Sequence, residues 1–459
     1  MKETAASFIA KSTIKAADLE HRRKINFNIA KYNAVVPVGK QQFGGNVMQA
    51  REKAKNRKWD AIEHLDQYLE EFERKITARG AKVIWAEDAA QALEEIGKIC
   101  DAKKCKTLVK SKSMVTEEIH LNKYLEAKGI ESVETDLGEY IQQLDGETPY
   151  HIVTPAMHKS KEDVAKLFSE KLGTPSGLSP EELTLVARKV LRDKYVEAEV
   201  GVTGANFIVA DIGGIAVTEN EGNARLSCGW PKTHIVVVGI EKMIPSLQDM
   251  PLFWPLLATY GTGQKITVYN TLVTGPRQPN EVDGPEEMYV VLLDNGRTNL
   301  LMNPTTREAL YCIRCGACLN ACPVYKNIGG HSYETTYSGP IGSVITPYLS
   351  GIPEFKHLSY ASSLCGNCTE VCPVRINLHE LLLDNRHEAV AQGSSSIAER
   401  IAWKAWKTAS LNRVMMNMGN GKMKNWVVNK VFKGWTAHRS ELDFSQKTFN
   451  EMWKDRFGN

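Results

Sequence analysis

Residues 107–136 read TLVKSKSMVTEEIHLNKYLEAKGIESVETD. The first seven are strand-like, residues 114–129 carry an amphipathic helical pattern that stops at Gly129, and residues 130–136 are strand-like again. A strand, a helix and a strand in succession predict an α/β domain with a mostly parallel sheet. The same alternation extends outward. On the N-terminal side, residues 53–79 place Ile62, Leu65, Leu69, Phe72 and Ile76 at helical spacing before Gly80. A short strand (81–86) and a helix (89–99) follow. On the C-terminal side come helices at 162–171 and 181–194, the second started by Ser179-Pro180-Glu181. Residues 205–226 and 234–240 read as buried strands and tight turns, and 265–275 and 287–296 close the domain near residue 297. Residues 1–297 therefore form the first domain, with a helical N-terminal extension. Residues 298–390 form a second, cysteine-rich module of short helices, and residues 391–459 a helical C-terminal region.

The 459 residues are 42% hydrophobic and 24% charged, with a formal net charge of +3. That composition belongs to a globular protein and makes no global case for nucleic-acid binding. The N-terminus has no apolar core of an export signal, and the longest apolar stretch, residues 250–260, is well short of the roughly 20 residues of a spanning helix. A cytoplasmic chain is expected, in which thiols serve metals better than disulfides.

Seven of the ten cysteines lie between Cys312 and Cys372. Cys312, Cys315, Cys318 and Cys322-Pro323 follow the bacterial-ferredoxin spacing C-x₂-C-x₂-C-x₃-C-P, in which the fourth cysteine serves the other cluster. Thiolates at that spacing wrap a loop around a cubane, and Gly316 permits the close backbone approach. Cys365, Cys368 and Cys372-Pro373 repeat the pattern with Ser362 at the first position. The pairing assigns Cys312, Cys315, Cys318 and Cys372 to cluster one. Cluster two receives Cys322, Cys365 and Cys368, with Ser362 in register for the fourth position. Zinc favours four-ligand sets with wider gaps between pairs, and seven cysteines do not divide into such sets. Cys100, Cys105 and Cys228 read as free core thiols.

Other features are weaker. Glu219 and Glu221 follow a buried strand, where ligands of α/β domains bind, and serve either as an acid–base or nucleophilic pair or as a polar turn. Lys110-Ser111-Lys112-Ser113 leads into a helix and reads as an anion loop or a solvated turn. His331 reads as an ordinary histidine before a ligand. From residue 398 to 439 there are nine Lys/Arg against one Asp/Glu, interleaved with Trp403, Trp406, Trp426 and Trp435 and with Met415, Met416 and Met418. This suits a docking face for a partner, packing on the cysteine module, or peripheral membrane contact. The glycines at 201–204 and 213–214 make no G-x-G-x-x-G turn, so the chain offers no flavin or nicotinamide fingerprint of its own.

Residues 109–122, 134–144, 204–226 and 337–349, with the two cysteine groups, resemble the lactate utilization protein B family. Those LUD-domain iron–sulfur proteins are similar to the iron–sulfur subunits of glycolate oxidase and heterodisulfide-reductase-like systems. The resemblance implies a LUD domain with a sheet like those of CoA transferases and sugar-phosphate isomerases, followed by a ferredoxin-like module. It implies two [4Fe–4S] clusters; with Ser362 standing where a cysteine would, the second is expected to pass to [3Fe–4S] when oxidised. It also implies a complex with two further lactate-utilization proteins, one with a cysteine-rich domain and one with a second LUD domain, that oxidises L-lactate to pyruvate and allows growth on lactate. On this reading the chain transfers electrons and is not catalytic alone. The other reading is an isomerase or acyl-transfer enzyme on the first domain, with structural clusters.

Overall fold

The computed structural model describes residues 2–431 and 440–458. Two compact units divide the chain, one running to Glu388 and the other beginning at Ala389. The first holds ten strands: β1 (Lys82–Ala86), β2 (Thr107–Lys110), β3 (Glu131–Glu134), β4 (Val200–Thr203), β5 (Phe207–Val209), β6 (Gly214–Glu219), β7 (Thr233–Gly239), β8 (Met243–Ile244), β9 (Tyr269–Val273) and β10 (Glu287–Leu293). Six form one sheet in the order β1-β10-β7-β4-β2-β3, with every pair parallel. The other four form a mixed sheet, β8-β5-β6-β9, which the sequence pattern did not announce.

Hydrophobic alternation explains the parallel sheet. All of β7 is buried. Ile235 and Val237 point to one face, with Leu108, Val200 and Val291. Val236 and Val238 point to the other, with Phe72, Ile76 and Ile208. Successive side chains change face, and both faces are covered, as a parallel sheet requires. The residue 107–136 stretch folds as a β–α–β crossover with β2 and β3 paired directly. Its helix is broken into Met114–Glu118 and Leu121–Ala127, and His120 takes φ 56° between them. The first turn is committed to ion pairs: Glu117 accepts from Lys110 at 2.8 Å, and Glu118 from Arg297 at 2.9 Å.

Residues 53–79 also form two helices, Val47–Glu63 and Leu65–Thr77, broken at His64. The two pieces bury different faces. Leu65, Leu69, Phe72 and Ile76 cover the parallel sheet. Arg51 and Lys58 of the preceding helix reach the cysteine loop and the end of β7. Ser179 does start a helix, Pro180–Glu197. Its hydroxyl accepts the Glu182 N–H at 3.2 Å, and the Glu182 carboxylate accepts the Ser179 N–H at 2.8 Å, a reciprocal cap. Residues 223–226, read as the end of a strand-and-turn run, instead open a helix (Asn223–Gly229), because Glu219 accepts the Ala224 and Arg225 N–H groups at 2.7 and 3.0 Å.

A further core joins the N-terminal helix Leu19–Lys40, the helix Met250–Thr262 and the cysteine loops, with Ile25, Ile29, Phe253, Leu256, Cys315, Leu319 and Tyr325 in contact across it. The most apolar stretch of the sequence is thus a core helix. No helix among the described residues is long and apolar enough to cross a membrane. The second unit contains helices Ile397–Leu411, Arg413–Asn417, Gly421–Val431 and Phe449–Phe457. Trp403, Trp406 and Trp426 are exposed, as are Met415, Met416 and Met418. Trp435 lies outside the described residues.

Candidate functional site

The two cysteine loops are built alike. Arg314 and Gly316 flank Cys315 with φ 59° and 78°, and Leu364 and Gly366 flank Cys365 with φ 53° and 77°. Each loop then enters a short helix, Ala317–Ala321 or Asn367–Glu370. Gly316 is required twice over: its φ is left-handed, and a Cβ there would meet the His151 ring at 3.1 Å. In the first loop the Arg314 N–H donates to Cys312 Sγ at 3.4 Å. In the second the Leu364 N–H donates to Ser362 Oγ at 3.1 Å. Ser362 Oγ therefore stands in its loop where Cys312 Sγ stands in the other. The hydroxyl that hydrogen-bonds the Cys365 thiol is that of Ser363.

Cys312, Cys315, Cys318 and Cys372 line one small cavity of about 20 Å³, walled by Ile313, Ile341 and Val374. Cys322, Cys365 and Cys368 form a second group, close enough for their thiols to bias one another's ionisation. Backbone N–H groups aim at the sulfurs: Tyr325 at Cys322 (3.5 Å) and Ile376 at Cys372 (3.3 Å). Among the described residues, the one trio of His, Cys, Asp or Glu ligand atoms lying within 4.8 Å of one another is Glu147, His158 and His331. No three cysteine sulfurs approach that closely. A tetrahedral zinc site with Zn–S near 2.3 Å needs sulfurs about 3.8 Å apart. The cysteines thus surround something larger than one ion, which fits a polynuclear iron–sulfur group. Burial pushes the Cys372 thiol up to about 12 and the Cys368 thiol up to about 11, so taking up metal releases protons. His331 stands apart from both sets, its Nε2 donating to the Thr148 carbonyl at 2.7 Å. Cys100 and Cys105 belong to the core on one face of the parallel sheet.

A buried ionic network joins the first loop to the sheet. Arg297 donates to both Glu118 and Glu241, all three almost wholly buried. Arg314 lies 3.4 Å from Glu241 and stacks 4.4 Å over the Tyr337 ring, whose hydroxyl donates to Glu118. Burial alone would raise the Glu241 carboxyl, but Arg297, Arg314 and Lys242 outweigh it and hold it at about 2. Lys58 donates to the carbonyls of Glu241 and Met243. Cations are therefore concentrated beside Cys312, where a cluster and its thiolates would bring negative charge.

Beside these loops is a cavity of about 620 Å³. Its lining comes from the segments that follow the C-terminal ends of β2, β3, β4 and β7. β2 and β4 are neighbours whose chains leave in opposite directions along the sheet, so this is the topological switch point where α/β ligands bind. Glu219 and Glu221 both line it. Glu219 spends its two oxygens on the N–H groups of the following helix, and Glu221 accepts the Leu137 N–H at 3.1 Å. Lys110 is buried between Glu117 and Glu134 and holds the fold. Lys112 reaches the cavity, donating to the Val153 carbonyl at 2.9 Å. The sequence reading missed Lys242, Arg314 and Tyr337. Glu241-Lys242 directly after a buried strand was the available signal.

Residues 69–293 match the LUD domain family, and residues 308–376 match a 4Fe-4S dicluster domain. The chain is 44% identical over 429 residues to lactate utilization protein B of Bacillus velezensis, covering 90% of this chain and 89% of that one. It is 46% identical to the protein of that name from Anoxybacillus flavithermus, covering 90% of each. With the Geobacillus sp. (strain WCH70) protein the identity is 47%, over 82% of this chain and 79% of the other. A crystal structure of a DUF162 family protein from Deinococcus radiodurans aligns with 50% of this chain and 98% of its own, at 13% identity and a TM-score of 0.29. On identity across about nine-tenths of the chain and domain order together, the chain belongs to the lactate utilization protein B family.

Proposed function

We propose that this protein is the iron–sulfur electron-transfer component of a multi-protein system that oxidises L-lactate to pyruvate. The observation that carries the proposal is the pair of cysteine sets, one of four thiols around a single small cavity and one of three beside it. Cys312, Cys315, Cys318 and Cys372 would hold one [4Fe–4S] cluster. Cys322, Cys365 and Cys368 would hold the second, with Ser362 at its fourth position. Such clusters carry one electron at a time. L-Lactate gives up two electrons and two protons on becoming pyruvate, so two adjacent one-electron carriers match that stoichiometry. Arg51 ties the second loop to helix Val47–Glu63, donating to the Cys372 and Glu370 carbonyls, and the cations beside Cys312 offset the charge of the loaded site.

The reaction is proposed to require two partner proteins, one with a cysteine-rich domain and one with a second LUD domain, in a reducing compartment where the thiols stay free. After anaerobic purification the chain should contain about eight iron atoms and no stoichiometric zinc. L-Lactate should reduce it only when both partners are present. Zinc in place of iron, or full lactate-dependent reduction of a dye by the chain alone, would overturn the proposal.

A further inference from the structure

The cavity at the sheet ends and the four-cysteine cavity share a wall made of Ile152, Arg314 and Cys315. The cations around this wall are not equally engaged. Lys58 spends its ammonium on two backbone carbonyls, and Arg297 spends its guanidinium on two carboxylates. Lys242 is 6% exposed, yet its Nζ has no hydrogen-bond or ion-pair partner among the described residues. Arg314 Nη1 is buried and equally without one. A buried donor such as Arg314 Nη1 costs roughly 1–3 kcal/mol or more until something accepts from it, whereas the Lys242 ammonium keeps an opening. Negative charge in the four-cysteine site answers part of this demand, since Arg314 lines both cavities. Lys242 lines the large cavity and not the small one. Its ammonium is thus offered to an acceptor in the large cavity and to none in the small one. Elsewhere the lining carries Lys112, paired with Asp136, and Lys159, paired with Asp145 and Glu147, which leaves Glu219 and Glu221 to repel molecules with several negative charges. Ile152 and Leu257 offer apolar contact to a short side chain.

We infer that the large cavity is a binding site for a small monocarboxylate of the 2-hydroxy or 2-oxo acid class. Lys242 Nζ and Arg314 Nη1 receive the carboxylate, and the rest of the molecule lies along the Cys315 wall. The choice of acid rests on the lactate reading above; the presence of a monoanion site does not. A molecule so placed is separated from the four-cysteine cavity by that wall alone.

The test uses the full-length holoprotein, purified anaerobically, with labelled pyruvate and L-lactate in equilibrium dialysis. Iron content and the electron paramagnetic resonance spectrum of the dithionite-reduced protein are recorded in parallel. One saturable pyruvate site per chain is expected. Lys242→Gln should weaken it by about 10- to 100-fold, the range for losing a hydrogen bond to a charged group. Lys242→Arg should recover most of that loss, and malonate, a dianion, should compete poorly. Val217→Trp, which fills the cavity away from the cysteine loops, should abolish binding while iron content stays at the wild-type level. Should Lys242→Gln lose its clusters, Val217→Trp and malonate competition still decide. Fully loaded protein that binds no pyruvate, or binds it equally well as Lys242→Gln, overturns the inference and leaves the electron-transfer reading standing. Protein without iron that still binds pyruvate overturns that reading and leaves the inference standing.

Discussion

Ser362 shows how far a single residue can be read. Aligning the two Cys-Pro ends puts it opposite Cys312, and the fold repeats the alignment atom for atom in the bond from the N–H two residues on. A serine oxygen is a harder ligand than a thiolate, and its alkoxide is costly to form, so it holds iron weakly. Brief air exposure should therefore produce a [3Fe–4S] signal at low temperature from the second cluster alone. Ser362→Cys should suppress that signal, and Cys315→Ala should leave it. Loss of the signal in Cys315→Ala with retention in Cys365→Ala would show that the labile site is the other one. Lys242 marks the limit of such reading. Its lack of a partner exists only because β7, the Cys312 loop and helix Val47–Glu63 meet there, and no neighbour in sequence reports it.

At the level of elements, local signals set starts and stops, and packing set the breaks. The cap at Ser179 needs only residues 179–182, so it was legible. The break at His64 was not, because it serves two surfaces, the sheet beneath Phe72 and the loop beneath Arg51. Arg297 joins elements by charge. Replacing it with methionine strands Glu118 and Glu241 in the interior, which should cost about 3–5 kcal/mol, seen as a lower denaturant midpoint. Strand β4 depends on close approach. A Cβ on Gly201 would lie 1.8 Å from the Ser227 carbonyl oxygen of the helix that follows β6. Gly201→Ala should therefore destabilise the protein by about 1–3 kcal/mol in thermal or chemical unfolding, through forced displacement of that helix. Unchanged stability would mean that the helix is not seated on the strand.

At the level of the molecule, the second unit leaves Trp403 and Trp406 exposed in a strongly basic sequence. The double variant Trp403→Ala/Trp406→Ala should keep the wild-type iron content while weakening co-purification with the partner proteins. Loss of iron with partner binding intact would assign those tryptophans to packing instead. Two things lay in the sequence by itself: the strand–helix–strand order that makes a parallel sheet, and cysteine spacing that only a cluster-binding loop requires. Both are short-range, since a period of two or 3.6 residues and a gap of three are properties of the local backbone. Only the tertiary structure decided that Lys112, Glu219, Lys242 and Arg314 share one cavity against the Cys315 wall. Lys112 and Lys242 follow strands joined by long-range pairing in the parallel sheet, and Glu219 ends a strand of the mixed sheet. The fourth arrives on a loop anchored by Glu241 and Tyr337, a convergence that no local pattern encodes.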